Sequence, residues 1–564
     1  MEIVDAPQNG LKGLVHWRQD LLAGLVVSLI SVSFNLAIAL ASGAPPIAGM
    51  LSGIVAGLLV PFLGGSYVTI CSCAAGLAPA LYAGIMTLGH GKPEVGYPIL
   101  LCCILFVGLI QMVMGKLKLA RTFMIFPNSM IHGMLAAIGL GIVVKQIPLL
   151  LGVKFEGHGF FGILAEVPSR LHEANPQVVL ISAVSLVTVF GIAAFGSDDK
   201  NAAKWKKYMP IVAPIATAAA ALALSVGLKL DESFRVKLPN GLLSGITHPN
   251  FSGLMADKTI WADAVALVFV LLLINAGESL ATVAAIDKKD PYGRRSEANT
   301  TLFAVGAATI ASASVGGLTI IPGGIKSTAN IVAGGRTQWA NFWNAAFLVA
   351  YCMFLYSIIN LLPLGGLAAI VCLMGWKLAK PSVWMHTWKV GKEQMLVFAT
   401  TVAATLIHDL LWGIIAGIVV KLIVVLVLAK RHPEGRKLSI WQIVKQCFSN
   451  PVKEVDAGIS YKEDGDYEIV LKGPVTCFNS RYLQAAFERI PKDVKLVIVV
   501  CEPNTMLVLD HTSAENLYSF KEYFERGRGI VDLSRIHEGM NTMSEHAMSL
   551  RTPSLLPIDA AMRD

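Results

Sequence analysis

Apolar runs fill the first three quarters of the chain. Runs long enough to cross a bilayer, about 20 residues, begin near Leu21, Ile47, Ile99, Met130, Val178, Tyr208, Trp261, Phe342 and Leu411. Shorter or Gly-interrupted apolar stretches lie at 67–86, 301–316, 318–333, 364–376 and 396–409. Together they predict about fourteen membrane elements. Near residue 430 the pattern changes. Residues 466–475 and 494–501 read as strands. Residues 480–490 have helical spacing, with Leu483, Ala486, Phe487 and Ile490 on one side, and the stretch from Leu507 to Ser513 opens another helix through Phe524. Such alternation predicts an α/β domain. The predicted layout is a cytosolic N-terminal segment at 1–19, a membrane domain at 20–430, a linker at 431–455, the α/β domain at 456–540 and, for want of periodicity, a mobile tail at 541–564.

Two of the short elements share a design. Gly64-Gly65-Ser66 is a turn, followed by the β-branched run Tyr67-Val68-Thr69-Ile70 and the small residues Cys71-Ser72-Cys73-Ala74-Ala75. Gly316-Gly317 is likewise followed by Leu318-Thr319-Ile320-Ile321-Pro322 and then Gly323-Gly324-Ile325-Lys326-Ser327-Thr328-Ala329-Asn330. These are the third and tenth elements, seven apart. Matching broken segments in two halves of a membrane protein point to a transport site. Extended backbone at membrane depth is tolerated only where it lines a cavity or is buried in protein. Two half-helix N-termini would offer partial positive charge and free N–H groups to an anion.

Composition agrees with a polytopic membrane protein. Hydrophobic residues make up 54% of the 564 and charged residues only 15%, against about 25% charged in soluble domains. A secreted disulfide scaffold, a disordered chain and most soluble enzymes are excluded. The nine cysteines are scattered without zinc-site spacing. No nucleotide-binding loop, metal-ligand cluster or nucleophile–base pair is evident, so neither a primary pump nor an enzyme is expected, and no cofactor. The polar start at 1–19 and the lack of a cleavage site after the run at Leu21 predict no signal peptide.

The net charge of +8 is read as basic cytoplasmic loops rather than nucleic-acid binding. With the N-terminus inside, the inner loops hold Lys116, Lys118, Arg121, Lys200, Lys204, Lys206, Lys207, Lys288, Lys289, Arg294, Arg295, Arg336, Lys377, Lys380, Lys389 and Lys392. The outer loops hold only Lys92, Lys154, Arg170, Lys229, Arg235, Lys237 and Lys258. The bias places both termini in the cytosol, in an inner (cytoplasmic) or plasma membrane.

Charges inside the membrane are costly and mark function or pairing. Glu278 lies within the eighth element and Lys326 follows the second broken segment. On neighbouring elements the two can neutralise each other as a structural ion pair; the functional reading beside it makes Glu278 a coupling or gating carboxylate and Lys326 the cation that attracts an anion. Lys145, near the end of its run, is expected to snorkel to the interface.

The chain resembles the SulP anion-transporter family, the sulfate permeases. The resemblance rests on Asp20-Leu21-Leu22-Ala23-Gly24-Leu25, on the stretch from Ala37 to Pro46 with Gly64-Gly65-Ser66, on Glu278-Ser279-Leu280, and on Lys326-Ser327-Thr328-Ala329-Asn330 with Gly334-Gly335-Arg336-Thr337-Gln338. The α/β tail looks like STAS, and that resemblance implies that Asp510 and Thr512 cap its second helix. The resemblance implies two inverted repeats of seven elements, a core domain moving against a gate domain, and a homodimer. It implies an anion between the third and tenth elements, bound by Phe34, Ser72, Cys73, Ala74, Gly324, Ile325, Lys326 and Ser327, with Glu278 and Thr282 in coupling. In the family's sodium-coupled bicarbonate branch the position matching Lys326 is uncharged, so proton coupling is expected here. The chain departs from the family at Ser33, where members carry Pro. It also departs at Cys71-Ser72-Cys73-Ala74, which stands for Ser-Gly-Pro-Thr, and at Lys326, which stands for Arg. These departures leave sulfate, bicarbonate, chloride or a carboxylate open as substrate, and a nucleobase permease of the same architecture is the alternative class.

Overall fold

The computed structural model describes residues 7–120, 127–157, 159–196, 204–239, 243–287, 289–408, 410–452, 466–491, 493–502, 508–527, 529–536 and 540–553. Arg121, Lys200, Lys288, Leu507 and the last part of the expected tail, 554–564, lie outside them.

Fourteen elements cross the apolar part of the chain. They are α1 (Trp17–Ala41), α2 (Pro46–Leu63), β1 (Cys71–Cys73) with α3 (Ala78–Leu88), α4 (Pro93–Lys116), α5 (Asn128–Leu151), α6 (Pro176–Ala194) and α7 (Lys204–Gly227). The second seven are α8 (Trp261–Asp287), α9 (Ala298–Ser314), β2 (Ile320–Pro322) with α10 (Gly324–Val332), α11 (Trp339–Phe354), α12 (Leu364–Ala379), α13 (Lys392–Ile407) and α14 (Leu410–Arg431). Short connecting helices are left unlabelled. Among the described residues, eight helical stretches are long and apolar enough to cross a membrane. Proline opens α2, α4 and α6, where its missing N–H has no helical partner to lose.

The third and tenth elements alone combine strand and helix among these fourteen, and they occupy the same place in the two sets of seven. β1 and β2 pair antiparallel, with Cys71 opposite Pro322, Ser72 opposite Ile321 and Cys73 opposite Ile320, as inverted repeats require. Backbone beyond this short ladder is satisfied by side chains from neighbouring helices. Leu318 N donates to Ser52 Oγ at 2.7 Å and Ile320 N to Thr309 Oγ1 at 3.2 Å. Ser312 Oγ donates to Leu318 O at 2.7 Å, and Asn330 Nδ2 to Val68 O at 2.8 Å. Gly316 turns the chain into β2 at φ +82°, a conformation that a Cβ penalises. Glycine also sets the crossing of α4 and α9. A Cβ at Gly306 would stand 2.7 Å from Gly108 O, and one at Gly108 2.8 Å from Gly306 O. Small residues allow this approach where lipid supplies no hydrophobic drive between helices.

The chain divides into two compact units, Met1–Ala120 with Ile138–Leu378, and Arg121–Ala137 with Ala379–Asp564. The second carries the α/β fold. Its helices are α15 (Ile440–Phe448), α16 (Ser480–Arg489) and α17 (His511–Gly527). Strands β3 (Asp466–Leu471), β4 (Leu496–Cys501) and β5 (Ile530–Asp532) form a parallel sheet in that order. Ile469, Leu471, Val497, Val499 and Val531 bury against Leu483, Leu517 and Phe524 of α16 and α17.

Two expectations change here. The stretch after residue 540 is not featureless. β6 (Met540–Thr542) and β7 (Arg551–Pro553) pair antiparallel, and Arg551 exchanges two backbone hydrogen bonds with Leu509, at 2.8 and 2.9 Å. The segment is too short and polar for periodicity to reveal it. Capping is also simpler than expected. Asp510 Oδ1 accepts from Ser513 N at 2.8 Å, whereas the Thr512 hydroxyl accepts from Asn128 N at 3.1 Å.

The second unit begins at 379 rather than at the composition change near 430, and it includes α14, whose last turns are built into the α/β fold. Val425, Leu428 and Ala429 share a buried cluster with Ile443, Cys447, Phe478, Val508 and Leu550. Lys421 Nζ lies 3.2 Å from Asp510 Oδ2, and both side chains are wholly buried. Burial raises the Asp510 carboxyl, but the Lys421 ammonium and the N–H groups of Ser513 and Cys477 outweigh it and hold the group below the usual carboxylate range. Removing one partner of such a pair leaves a bare buried charge, at a cost of about 3–5 kcal/mol. Asp510→Asn, which keeps the cap but not the charge, is therefore expected to lower the melting temperature in detergent by many degrees. Adding Lys421→Met should recover much of the loss. Equal melting of wild type and Asp510→Asn would show that the pair contributes nothing.

Candidate functional site

The β1–β2 ladder holds two half-helices with their N-terminal ends toward the same region. Neither α3 nor α10 has a side-chain cap: the N-cap residues are Leu77 and Gly323, and neither supplies a capping bond. The first N–H groups of a helix have no intrahelical partner. The junction is tied across the halves, since Gly323 N donates to Ile70 O at 2.8 Å and Ile70 N to Ser327 Oγ at 3.0 Å. Ser327 Oγ itself donates to Gly323 O at 2.6 Å.

Lys326 stands in the first turn of α10 with only 4% of its surface exposed. Its ammonium donates to Asn35 Oδ1 at 2.6 Å and to Ser72 Oγ at 2.5 Å. Cys73 Sγ lies 3.6 Å from the same Asn35 oxygen. So α1, β1 and α10 converge on one cation. An ammonium has three donors and no acceptor, and both of these partners are neutral oxygens. Position adds to the effect, because a cation at a helix N-terminus opposes the macrodipole. The arrangement concentrates positive charge among neutral partners.

The expected pairing of Glu278 with Lys326 does not occur. No salt bridge among the described residues includes either. Glu278 instead packs on Gly76, between β1 and α3, where an added Cβ would run into its carboxylate. Its Oε2 is buried without a hydrogen-bond partner. A single turn further along α8, Thr282 reaches the tenth element: its Cγ2 lies 3.8 Å from where a Cβ on Gly324 would stand. Sequence separation placed Glu278 and Lys326 on nearby elements but could not tell which element each side chain faces. α8 bridges the site, with Glu278 toward the third element and Thr282 toward the tenth.

The other expected residues fall as follows. Phe34, 1% exposed, is adjacent to Asn35 on α1, and Ala74, also 1% exposed, follows β1. Gly324 is exposed and Ile325 half-buried at the start of α10. Asn35 was not anticipated. Its signal is a lone amide in the apolar run of α1, wholly buried, its Nδ2 without a partner. Lys145 does not snorkel: its ammonium sits 4.5 Å from the centroid of the Tyr82 ring and 3.5 Å from Pro79 O. Asp20, within the first quoted motif, accepts from Arg336 N at 2.7 Å and Thr337 N at 3.1 Å. It thereby fixes the chain between α10 and α11.

Gly76 and Gly324 offer a paired test of this packing. Gly76→Ala must displace the Glu278 carboxylate, and overpacking of this kind costs about 1–3 kcal/mol. Gly324→Ala meets only ordinary contact. The expected result is a lower melting temperature for Gly76→Ala alone. Equal melting of the two variants would mean that Glu278 does not rest on Gly76.

A model of the Sulfate permease family matches residues 17–401. The bicarbonate transporter BicA of Picosynechococcus is 24% identical over 408 residues, spanning 70% of this chain and 68% of its own. Among solved structures, the transmembrane domain of a cyanobacterial BicA matches with a TM-score of 0.62 at 21% identity, covering 72% of this chain and 98% of that one. Murine Slc26a9, an anion transporter solved in its inward-facing state, matches with a TM-score of 0.63 at 17% identity, over 94% of this chain and 86% of its own.

Proposed function

Because the chain belongs to the sulfate permease family, we propose that it is a secondary transporter of a small inorganic anion, bound between the third and tenth elements and moved by an elevator-like displacement of a core against a gate. The observation that carries this reading is the buried Lys326 ammonium, whose hydrogen-bond partners among the described residues are Asn35 and Ser72, at an uncapped helix N-terminus. In a partly desolvated setting an anion there gains several-fold more from the charge than in water. Phe34, Ser72, Cys73, Ala74, Gly324, Ile325, Lys326 and Ser327 form the substrate site. Sulfate is the first candidate. Bicarbonate is the second, favoured by the likeness to bicarbonate transporters.

Coupling is to protons, through Glu278 with Thr282. The carboxylate oxygen without a donor has room for the proton itself as its partner, and the positive field of Lys326 disfavours a second metal cation nearby. The protein works as a homodimer in the inner or plasma membrane, with both termini in the cytosol, as the basic inner loops favour.

The test is uptake of labelled sulfate, bicarbonate and fumarate into proteoliposomes. At constant pH, replacing sodium by choline should leave uptake unchanged. An inward proton gradient should then stimulate it several-fold in wild type and not in Glu278→Gln. Uptake that collapses without sodium would contradict proton coupling. Uracil uptake without anion uptake would contradict the anion reading altogether.

A further inference from the structure

We propose that α15 lies on the bilayer surface, with Ile440 and Trp441 entering the acyl boundary and the basic residues around them taking anionic lipid headgroups. This surface is separate from the transport site and does not depend on it.

The first support is position. One face of α15 is built against the end of the last membrane span. Ile443 and Cys447 are wholly buried in the cluster that includes Val425, Leu428 and Ala429 of α14. The turn between the helices is closed by the Lys430 ammonium, which donates to Leu438 O. The helix therefore starts nine residues after α14 ends and packs beside its final turns. It cannot swing away into the cytosol without opening that cluster.

The second support is the adjoining face. At about 100° per residue, Ile440, Trp441, Val444 and Phe448 fall within one arc of about 100°. Ile440 is 62% exposed, Trp441 75% and Phe448 46%. Phe448 leans on Phe478, with ring centroids 5.1 Å apart, so Ile440 and Trp441 are the free tip. The helix is nonetheless firmly formed, since Ser439 and Gln442 make a reciprocal capping box at its start. An exposed tryptophan at the end of a well-capped helix is the residue that bilayer interfaces favour.

The third support is continuity and charge. Along α14 an outward stripe of Ile415, Val419, Ile423 and Val427 recurs every fourth residue, each 42–50% exposed. That stripe is the side of α14 that the α/β fold leaves uncovered, and it runs to within a turn of Arg431. The apolar tip of α15 follows it in the chain, thirteen residues after Val427. Between 430 and 450 the chain carries Lys430, Arg431, Arg436, Lys437 and Lys445 against the single acid Glu434. Glu434 is engaged with Lys437 at 2.7 Å. Basic residues rimming an apolar helix face next to a span are the pattern that binds anionic lipid. A second copy of this chain is the other conceivable cover for the tip, but a surface with this excess of positive charge would have to meet its own like charge.

The experiment uses the full chain in vesicles and compares wild type with Trp441→Phe, so that the difference in fluorescence reports Trp441. Phosphatidylcholine with brominated acyl chains is the probe, with and without phosphatidylglycerol, and acrylamide is the aqueous quencher. The proposal expects the Trp441 component to be quenched by brominated lipid and spared by acrylamide. The lipid quenching should rise when phosphatidylglycerol is added, and the rise should vanish in high salt and in Lys437→Gln/Lys445→Gln. Quenching by acrylamide alone would place the tip in water and overturn the proposal. Shielding from both quenchers, lost when the protein is diluted to monomers in detergent, would assign the tip to a copy–copy contact and also overturn it. Size-exclusion profiles that superimpose for all variants guard against misfolding.

Discussion

Extended backbone inside a bilayer has no water to bond with, and every N–H and C=O left open costs several kcal/mol. The two three-residue strands at Cys71–Cys73 and Ile320–Pro322 meet that constraint by pairing with each other. They need help at their ends, and Ser52, Thr309, Ser312, Ser327 and Asn330 supply it from the surrounding helices. The ladder thus does more than close a gap. It ties the first set of seven elements to the second, and it fixes where two uncapped half-helices begin. Lys326 is carried to its place by this arrangement, because it stands four residues after the last residue of β2.

The electrostatic consequence is separation rather than pairing. Lys326 bonds to an amide and a hydroxyl, and Glu278 rests on Gly76 with an open oxygen. A mutual ion pair would have quenched both charges and left a structural clamp. Held apart, each keeps an unsatisfied demand: the cation for an anion, the carboxylate oxygen for a donor. α8 touches both broken elements, with Glu278 against Gly76 and Thr282 beside Gly324.

Much of this was legible in the sequence. The fourteen elements follow from the length and spacing of apolar runs, since in a membrane hydropathy and backbone satisfaction give the same answer. The broken third and tenth elements were visible because the same order of a glycine pair, a β-branched run and small residues recurs in both. Other features left weaker traces. Asn35 is one amide among apolar neighbours, and nothing local says which way it faces. The Glu278–Lys326 pairing was inferred from proximity of elements, whereas helix rotation decided it. Lys421 sits in the apolar run of α14 as if it were a snorkelling residue, yet it pairs with Asp510 from a domain that begins decades of residues later. Only the folded chain brings those two together, and with them the last span into the α/β unit.

The account turns on Lys326 being an unpaired cation offered to an anion, and the most direct measurement is anion-dependent thermal stabilisation of the purified protein. Wild type should melt at a higher temperature as sulfate or bicarbonate is added, with a saturable shift. Lys326→Arg should retain much of that shift, and Lys326→Gln should lose it while still folding in the absence of anion. A shift of equal size and midpoint in wild type and Lys326→Gln would contradict the account, because the site would then bind its ligand without the charge on which the argument rests.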